Sequence, residues 1–119
     1  MVGYLDPTSA FVGYAGAVAI NRAVGGSLDD FTPGIEYFKK LADNDPIVPK
    51  QHSSARVLSG EIPILLDYDF NAYRGKYKDK ANVQFVIPTE GTIVVPYVMS
   101  LVKNGPNPEK GKKILDFIM

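Results

Sequence analysis

The chain has 119 residues, of which 45% are hydrophobic, and its 13 basic side chains balance 13 acidic ones. This length fits a single domain with one core. Because the lysines are scattered from Lys39 to Lys113 and the formal charge is zero, the sequence predicts no nucleic-acid or anionic-membrane partner. There is no cysteine, and His52 is the lone histidine, which excludes disulfides, thiolate chemistry and multi-histidine metal sites; neither a cofactor nor a metal is predicted.

The apolar stretch at residues 10–20 predicts neither a membrane span nor an export signal. Gly13 and Gly16 interrupt this stretch, which is shorter than the about 20 residues that cross a bilayer. No basic residue precedes it, and Asp6 and Pro7 stand where a signal would still be forming. We therefore expect no signal peptide in this chain.

Strand and helix signals alternate along the chain. The first half is predicted to contain a strand at residues 2–5, a helix at 10–24, an amphipathic helix starting at Thr32-Pro33 and a short helix starting at Ser53-Ser54. A strand at 62–66, a short helix at 72–77 and a strand at 83–87 are predicted to follow. The last predicted elements are a bent strand, or a strand followed by a helix, at 93–102 and a helix capped by Asn107. This alternation predicts an α/β fold, a three-layer sandwich with a central parallel or mixed sheet.

The first helix and the strand at 62–66 form the predicted centre of the fold. Only Asn21 and Arg22 are strongly polar within residues 10–24, so protein should surround this helix on most sides. Its two glycines, three residues apart, indicate close helix packing, since the Lys of a phosphate loop is missing. The continuous apolar run at 62–66 indicates a strand covered on both faces.

One polar segment follows the predicted first strand. Asp6, Thr8 or Ser9 is expected to cap the helix that comes next. The free N–H groups of that helix start, together with the Thr8 and Ser9 hydroxyls, suit a carboxylate, a phosphonate or a similar anion. The alternative interpretation is that these side chains only cap the helix.

A second polar segment, residues 67–71, follows the next predicted buried strand. It offers the carboxylates of Asp67 and Asp69, the Tyr68 phenol and the Asn71 amide, which suit an ammonium group or a hard cation. The alternative is a solvated turn in which one of the two carboxylates caps the following helix. Because ligands collect outside the carboxyl ends of strands in open α/β sheets, the two segments together predict a polar cleft.

The paired carboxylates also fit a different class of function. A small α/β enzyme would use Asp67 or Asp69 as its acid or base. Carboxylates two positions apart around a turn seldom face each other across a substrate, and no His, Cys or Lys base is spaced to help. We therefore predict a non-catalytic binding protein, with the enzyme and a dimerisation module with an empty cleft as the alternatives.

Six stretches of the chain carry a family resemblance: 6–14 (DPTSAFVGY), 60–64 (GEIPI), 68–71 (YDFN), 86–92 (VIPTEGT), 101–109 (LVKNGPNPE) and 115–119 (LDFIM). In this order and spacing they resemble the second half of bacterial extracellular solute-binding proteins. The similarity is to the type II periplasmic binding proteins of ABC importers, in the branch that includes ferric-iron, polyamine and phosphonate binders. Ferric binders of this branch commonly use two adjacent tyrosines, whereas this chain has Tyr68-Asp69 and an isolated Tyr73.

The resemblance implies a protein with two α/β lobes that close on a solute bound at the hinge. Residues 1–91 would form the second lobe, and residues 92–119 would return towards a first lobe that this chain lacks. The implied ligand-binding residues are Thr8, Ser9 and Ala10 at the helix start and Tyr68, Asp69 and Asn71 at the strand end.

The resemblance also implies the partners. They are a small polar or ionic solute and, for the full-length protein, an ABC permease; the full-length parent would work in the periplasm or another extracytoplasmic space. Without the first lobe, the interlobe surface and the apolar side of the last helix stay uncovered. We therefore expect self-association through that surface or through the C-terminal segment.

Overall fold

The computed structural model describes residues 1–50 and 53–119, so the lone His52 lies outside the described residues. The chain order of its elements is β1 (Val2–Tyr4), α1 (Phe11–Ala23), α2 (Thr32–Ala42), α3 (Ser54–Leu58), β2 (Ile64–Leu66), α4 (Asp69–Tyr73), a π-helical stretch (Arg74–Lys78) and α5 (Pro108–Ile118). Every element predicted before residue 80 is present, with ends shifted by a few residues.

The two strands form a small parallel sheet. Val2 pairs with Ile64 and Tyr4 with Leu66. On the other edge of β1, Tyr4 N–H donates to the Ile47 carbonyl at 3.1 Å, and a parallel bridge joins Gly3 to Ile47. The mixture of helices and parallel strands confirms the α/β class, although the sheet in the described part of the chain has two strands and does not show a three-layer sandwich.

Helix α1 packs directly on both strands. A Cβ added at Gly13 would lie 2.1 Å from the Leu5 carbonyl oxygen, and one added at Gly16 would lie 2.3 Å from Leu66 Cδ2. The interpretation of this glycine pair as a close-packing device is confirmed. The contact places the N-terminal half of α1 beside the carboxyl ends of β1 and β2.

Two burial predictions are wrong. Phe11 and Tyr14 on α1 are 59% and 55% exposed, because small residues, not large ones, face the sheet. Ile64 on β2 is 62% exposed, so this strand is not covered on both faces. In both places the large apolar side chain lies on a face that no other described element covers.

The most deeply buried polar side chain among the described residues is Asn21, which has no exposed surface. Its Nδ2 donates to the carbonyls of Ser27 at 2.8 Å and Asp30 at 3.1 Å, and its Oδ1 accepts the Gly34 N–H at 2.9 Å. Asn21 therefore ties the loop after α1 and the first turn of α2 to α1. Gly26 also packs against it, since a Cβ there would lie 2.1 Å from Asn21 Oδ1.

The amphipathic helix α2 is peripheral, and the short helix α3 has no buried residue. Within α2 only Gly34 is buried, and the Phe38 ring packs on Tyr4 at a centroid distance of 5.3 Å. Thr32 is the first residue of α2 and not its cap; the Asp30 carboxylate accepts the Thr32 N–H just ahead of the helix.

The predicted strands at 83–87 and 93–102 are wrong. Residues 81–107 contain no helix or strand, and Val94 and Val98 are 87% and 82% exposed. A strand needs a neighbouring backbone to pair with. The apolar pattern of these residues is that of strands, but the described part of the chain offers them no partner.

The second half of the chain is consequently extended. Helix α5 has no buried residue, and Phe117 on its predicted apolar side is 90% exposed. The radius of gyration is 17.9 Å, compared with about 13–14 Å for a compact domain of this length. None of the described helices has the length and apolar character needed to cross a membrane.

Candidate functional site

The two predicted polar segments leave the same edge of the sheet. Because β1 and β2 are parallel and Tyr4 pairs with Leu66, the chain passes from both strands towards one side. Asp6 and Tyr68 each stand two residues beyond that last pair. The packing of Gly13 on Leu5 and of Gly16 on Leu66 brings the start of α1 to the same edge.

The first segment forms a tight turn around the Asp6 carboxylate. Asp6 Oδ1 accepts the Thr8 N–H at 2.8 Å and the Thr8 hydroxyl at 2.7 Å. The Asp6 carbonyl accepts the N–H groups of Ser9 and Ala10. Hydrogen bonds from Thr8, with a further one from the Ser9 side chain, hold the pKa of Asp6 below its usual value. This corner of the edge therefore carries a negative charge.

The prediction that Asp6, Thr8 or Ser9 caps α1 is wrong. The N-cap is Ala10, and no side chain caps the helix. The Asp6 carboxylate and the Thr8 hydroxyl are hydrogen-bonded to each other instead. The first N–H groups of any α-helix have no partner inside the helix. Those of α1 therefore remain as donors at the sheet edge, next to Ser9 and Ala10.

The second segment is organised by Asp67. Its Oδ1 accepts the Tyr68 N–H at 2.7 Å and the Asn71 Nδ2–H at 2.9 Å. Asp69 is exposed and is the first residue of α4, where its Oδ1 accepts the Phe70 N–H at 2.7 Å. Asp69 thus presents a carboxylate to solvent, while Asn71 is turned towards Asp67.

An aromatic cluster joins this segment to the second half of the chain. The Tyr68 and Phe70 rings are stacked at a centroid distance of 5.0 Å, and the Tyr97 ring meets them edge-on at 6.3 and 6.5 Å. Burial, a hydrogen bond with Tyr97 and the charge of Asp67 raise the pKa of Tyr68 to about 12. Tyr97 was not among the predicted site residues, because it lies 29 positions after Tyr68 and the strand predicted there gave no reason for the chain to fold back on Tyr68.

The carboxylates of this edge raise the question of whether they could hold a metal ion. Within residues 1–50 and 53–119, no three acidic, histidine or cysteine side chains are grouped so as to hold an ion. The negative charge of Asp6 and the exposed carboxylate of Asp69 give the edge hydrogen-bond acceptors.

An apolar groove of about 610 Å³ lies between residues 99–102 and helix α5. Gly111 of α5 faces Leu101 across it, since a Cβ at Gly111 would lie 2.6 Å from Leu101 Cδ1. Most residues that line the groove are apolar, and none of them belongs to the two polar segments, so the groove is part of the packing of the C-terminal segment.

Comparison with family models identifies the class of protein. The model of the bacterial extracellular solute-binding protein family matches residues 1–119, so the chain belongs to that family. No curated protein and no solved structure matches the chain. Membership gives an extracellular or periplasmic role in binding a small solute, with a transporter as the partner of the parent protein.

The family match confirms the solute-binding resemblance at the level of the family. The roles of individual residues stay predictions, namely solute contact by Thr8, Ser9, Ala10, Tyr68, Asp69 and Asn71. The parallel sheet directs their two segments, which include Asp6 and Asp67, to one edge, and the structure adds Tyr97 as a neighbour of Tyr68.

Proposed function

We propose that this chain is the second lobe of the solute-binding protein of an ABC importer. Residues 1–91 form the lobe and residues 92–119 return towards a first lobe, so that the three-layer sandwich and the two-sided cleft are complete in the parent protein. The proposed branch is that of ferric-iron, polyamine and phosphonate binders.

One observation carries the proposal: the parallel pairing of Tyr4 with Leu66 sends both polar segments to one edge. In open α/β sheets, this is the edge at which ligands bind. A cleft between two lobes needs one such surface from each lobe. The edge described above supplies the surface of the second lobe.

The charges at the edge favour a solute with a positive group. Asp6, Asp67 and Asp69 place three carboxylates on the two segments, and neither segment contains a basic residue. Lys50 is the cation that acts on Asp6. In the proposal Asp69, Tyr68 and Asn71 bind the cationic or polar end of the solute. The start of α1, with Thr8, Ser9 and Ala10, binds the anionic or polar end.

The same proposal accounts for the exposed second half of the chain. The accessible surface is 9168 Å², compared with about 6,300 Å² for a compact protein of this mass. The excess, about 2,900 Å², is somewhat more than the about 1,000–2,500 Å² that each partner buries in a large obligate interface. In isolation we expect a second copy of the chain to cover part of it, through the interlobe surface or the C-terminal segment.

Calorimetric titration of the chain with putrescine, 2-aminoethylphosphonate and ferric citrate tests the function. Half a cleft lacks the contacts of the other lobe, so a dissociation constant of about 1 mM is expected for the solute that binds, which corresponds to about 4 kcal/mol. Asp69→Asn should weaken binding of an amine about tenfold, because it removes an exposed carboxylate without changing the shape of the side chain.

The matched control is Asp43→Asn at the exposed C-terminal end of α2, which should leave the affinity unchanged. Equal affinities for wild type and Asp69→Asn would contradict the proposed role of Asp69. Turnover of a probe that Asp69→Asn abolishes would favour the enzyme alternative. A dimer that binds no probe would favour the dimerisation module.

A further inference from the structure

The segment that crosses from the sheet edge to α5 is attached to the candidate site by aromatic rings. Residues 81–107 contain no helix or strand, so backbone pairing within a sheet does not fix their position. Two ring contacts hold the segment in place. The Phe85 ring packs on Tyr73 at a centroid distance of 5.2 Å, and the Tyr97 ring packs on the Tyr68–Phe70 pair. Both contacts fall on the short stretch that holds the second polar segment.

Tyr97 makes a more specific contact than packing alone. Its ring stands edge-on to both members of a stacked pair, at interplanar angles of 67° and 69°. This is a favoured arrangement of aromatic rings and contributes beyond the buried area. After burial, a hydrogen bond between the Tyr68 and Tyr97 hydroxyls and the charge of Asp67 are the causes that raise the pKa of Tyr68.

We propose that Tyr97 is a positioning residue of the site, which fixes the Tyr68 phenol for solute contact and couples the crossing segment to the sheet edge. Its description as part of a solute site rests on the proposed function. Tyr97 itself is 73% exposed and its backbone lies in an irregular segment. A change in the position of that segment therefore changes the surroundings of Tyr68, and by thermodynamic linkage a change at Tyr68 acts back on the segment.

The coupling is tested without any ligand, on the full chain, by two-dimensional amide NMR at neutral pH. Tyr97→Phe keeps the ring and removes the hydroxyl, and it should shift the amide signals of residues 67–71. Tyr68→Phe should shift those of residues 95–99 in return. The control Tyr14→Phe, on an exposed face of α1, should shift neither group.

A readout specific to the hydrogen bond comes from the ring signals of Tyr68 on titration with base. Wild-type Tyr68 should stay mainly neutral to about pH 11, whereas in Tyr97→Phe it should ionise earlier because the partner hydroxyl is gone. Tyr97→Leu, which also removes the ring, should advance the ionisation further. Packing without a positioning role would leave Tyr68 unchanged in Tyr97→Phe.

Unchanged signals of residues 67–71 in Tyr97→Phe, or a Tyr68 ionisation equal to that of the wild type, would overturn the assignment. These results do not depend on solute binding. If the shifts are seen and no solute binds in the calorimetric titration, the contact stands and the proposed function fails. If a solute binds and the shifts are absent, the function stands and the role of Tyr97 fails.

Discussion

Replacing Asn21 by Ala should destabilise the fold strongly, because one side chain holds three backbone groups. The substitution removes the bonds to the Ser27 and Asp30 carbonyls and to the Gly34 N–H. Each such bond contributes about 1 kcal/mol, and a buried group left without a partner costs about 1–3 kcal/mol. Gly34 is buried, so water cannot replace its partner easily. We expect a loss of about 3–4 kcal/mol, a large part of the stability of a domain this size.

Asn21→Asp separates hydrogen bonding from shape. A carboxylate still accepts the Gly34 N–H, but it cannot donate to the two carbonyls and it places a buried charge against their oxygens. The loss at neutral pH should equal or exceed that of Asn21→Ala. It should decrease on acidification, because the protonated acid regains one donor.

Urea denaturation followed by far-UV circular dichroism measures these changes. The control is Arg22→Ala, at the exposed neighbouring position of α1, which should change the free energy of unfolding by less than about 0.5 kcal/mol. A loss below about 1 kcal/mol for Asn21→Ala would refute the reasoning. So would a stability of Asn21→Asp that does not depend on pH.

Three further predictions concern packing, charge and assembly. Gly13→Ala should cost about 1–3 kcal/mol of unfolding free energy, since its Cβ would meet the Leu5 backbone. Gly75→Ala, whose Cβ has only an ordinary contact at 3.7 Å, should cost little in the same urea denaturation. The pKa of Asp6, measured by NMR titration, should lie below the usual aspartate value of 3.8. The stabilisation that the ionised carboxylate provides is therefore complete above pH 3.8 and is lost as the pH falls through the lowered pKa. Phe117→Ser should reduce self-association in light-scattering chromatography, and a monomeric wild type would contradict that expectation.

Local patterns of the first 80 residues were sufficient to predict their helices and strands. The sharpest success is the glycine pair of α1, where the absence of side chains predicted the contact with the sheet that Gly13 and Gly16 make. Burial was harder to predict. Asn21 stands out in the sequence only as a polar residue, and nothing local shows that the loop of Ser27 and the start of α2 fold back on it.

The strand predictions for the second half of the chain were wrong for a different physical reason. Residues 83–87 have an apolar pattern that suits a strand, but a pattern specifies a face and not a partner. In this chain the backbone from residue 81 to residue 107 has no strand beside it. The common edge of the two polar segments was predictable, because it follows from where the two parallel strands end. The contact of Tyr97 with Tyr68 could not be predicted, because a ring contact between residues 29 positions apart depends on the path of an irregular segment.

Amide NMR during titration with 2-aminoethylphosphonate tests the central claim most directly, because this probe carries an ammonium group for one polar segment and a phosphonate group for the other. We expect the signals of residues 8–13 and 68–71 to shift together, with the same dependence on probe concentration, while those of α5 do not move. Shifts confined to one segment, or concentrated at the groove beside α5, would contradict the claim that the two segments form one binding surface.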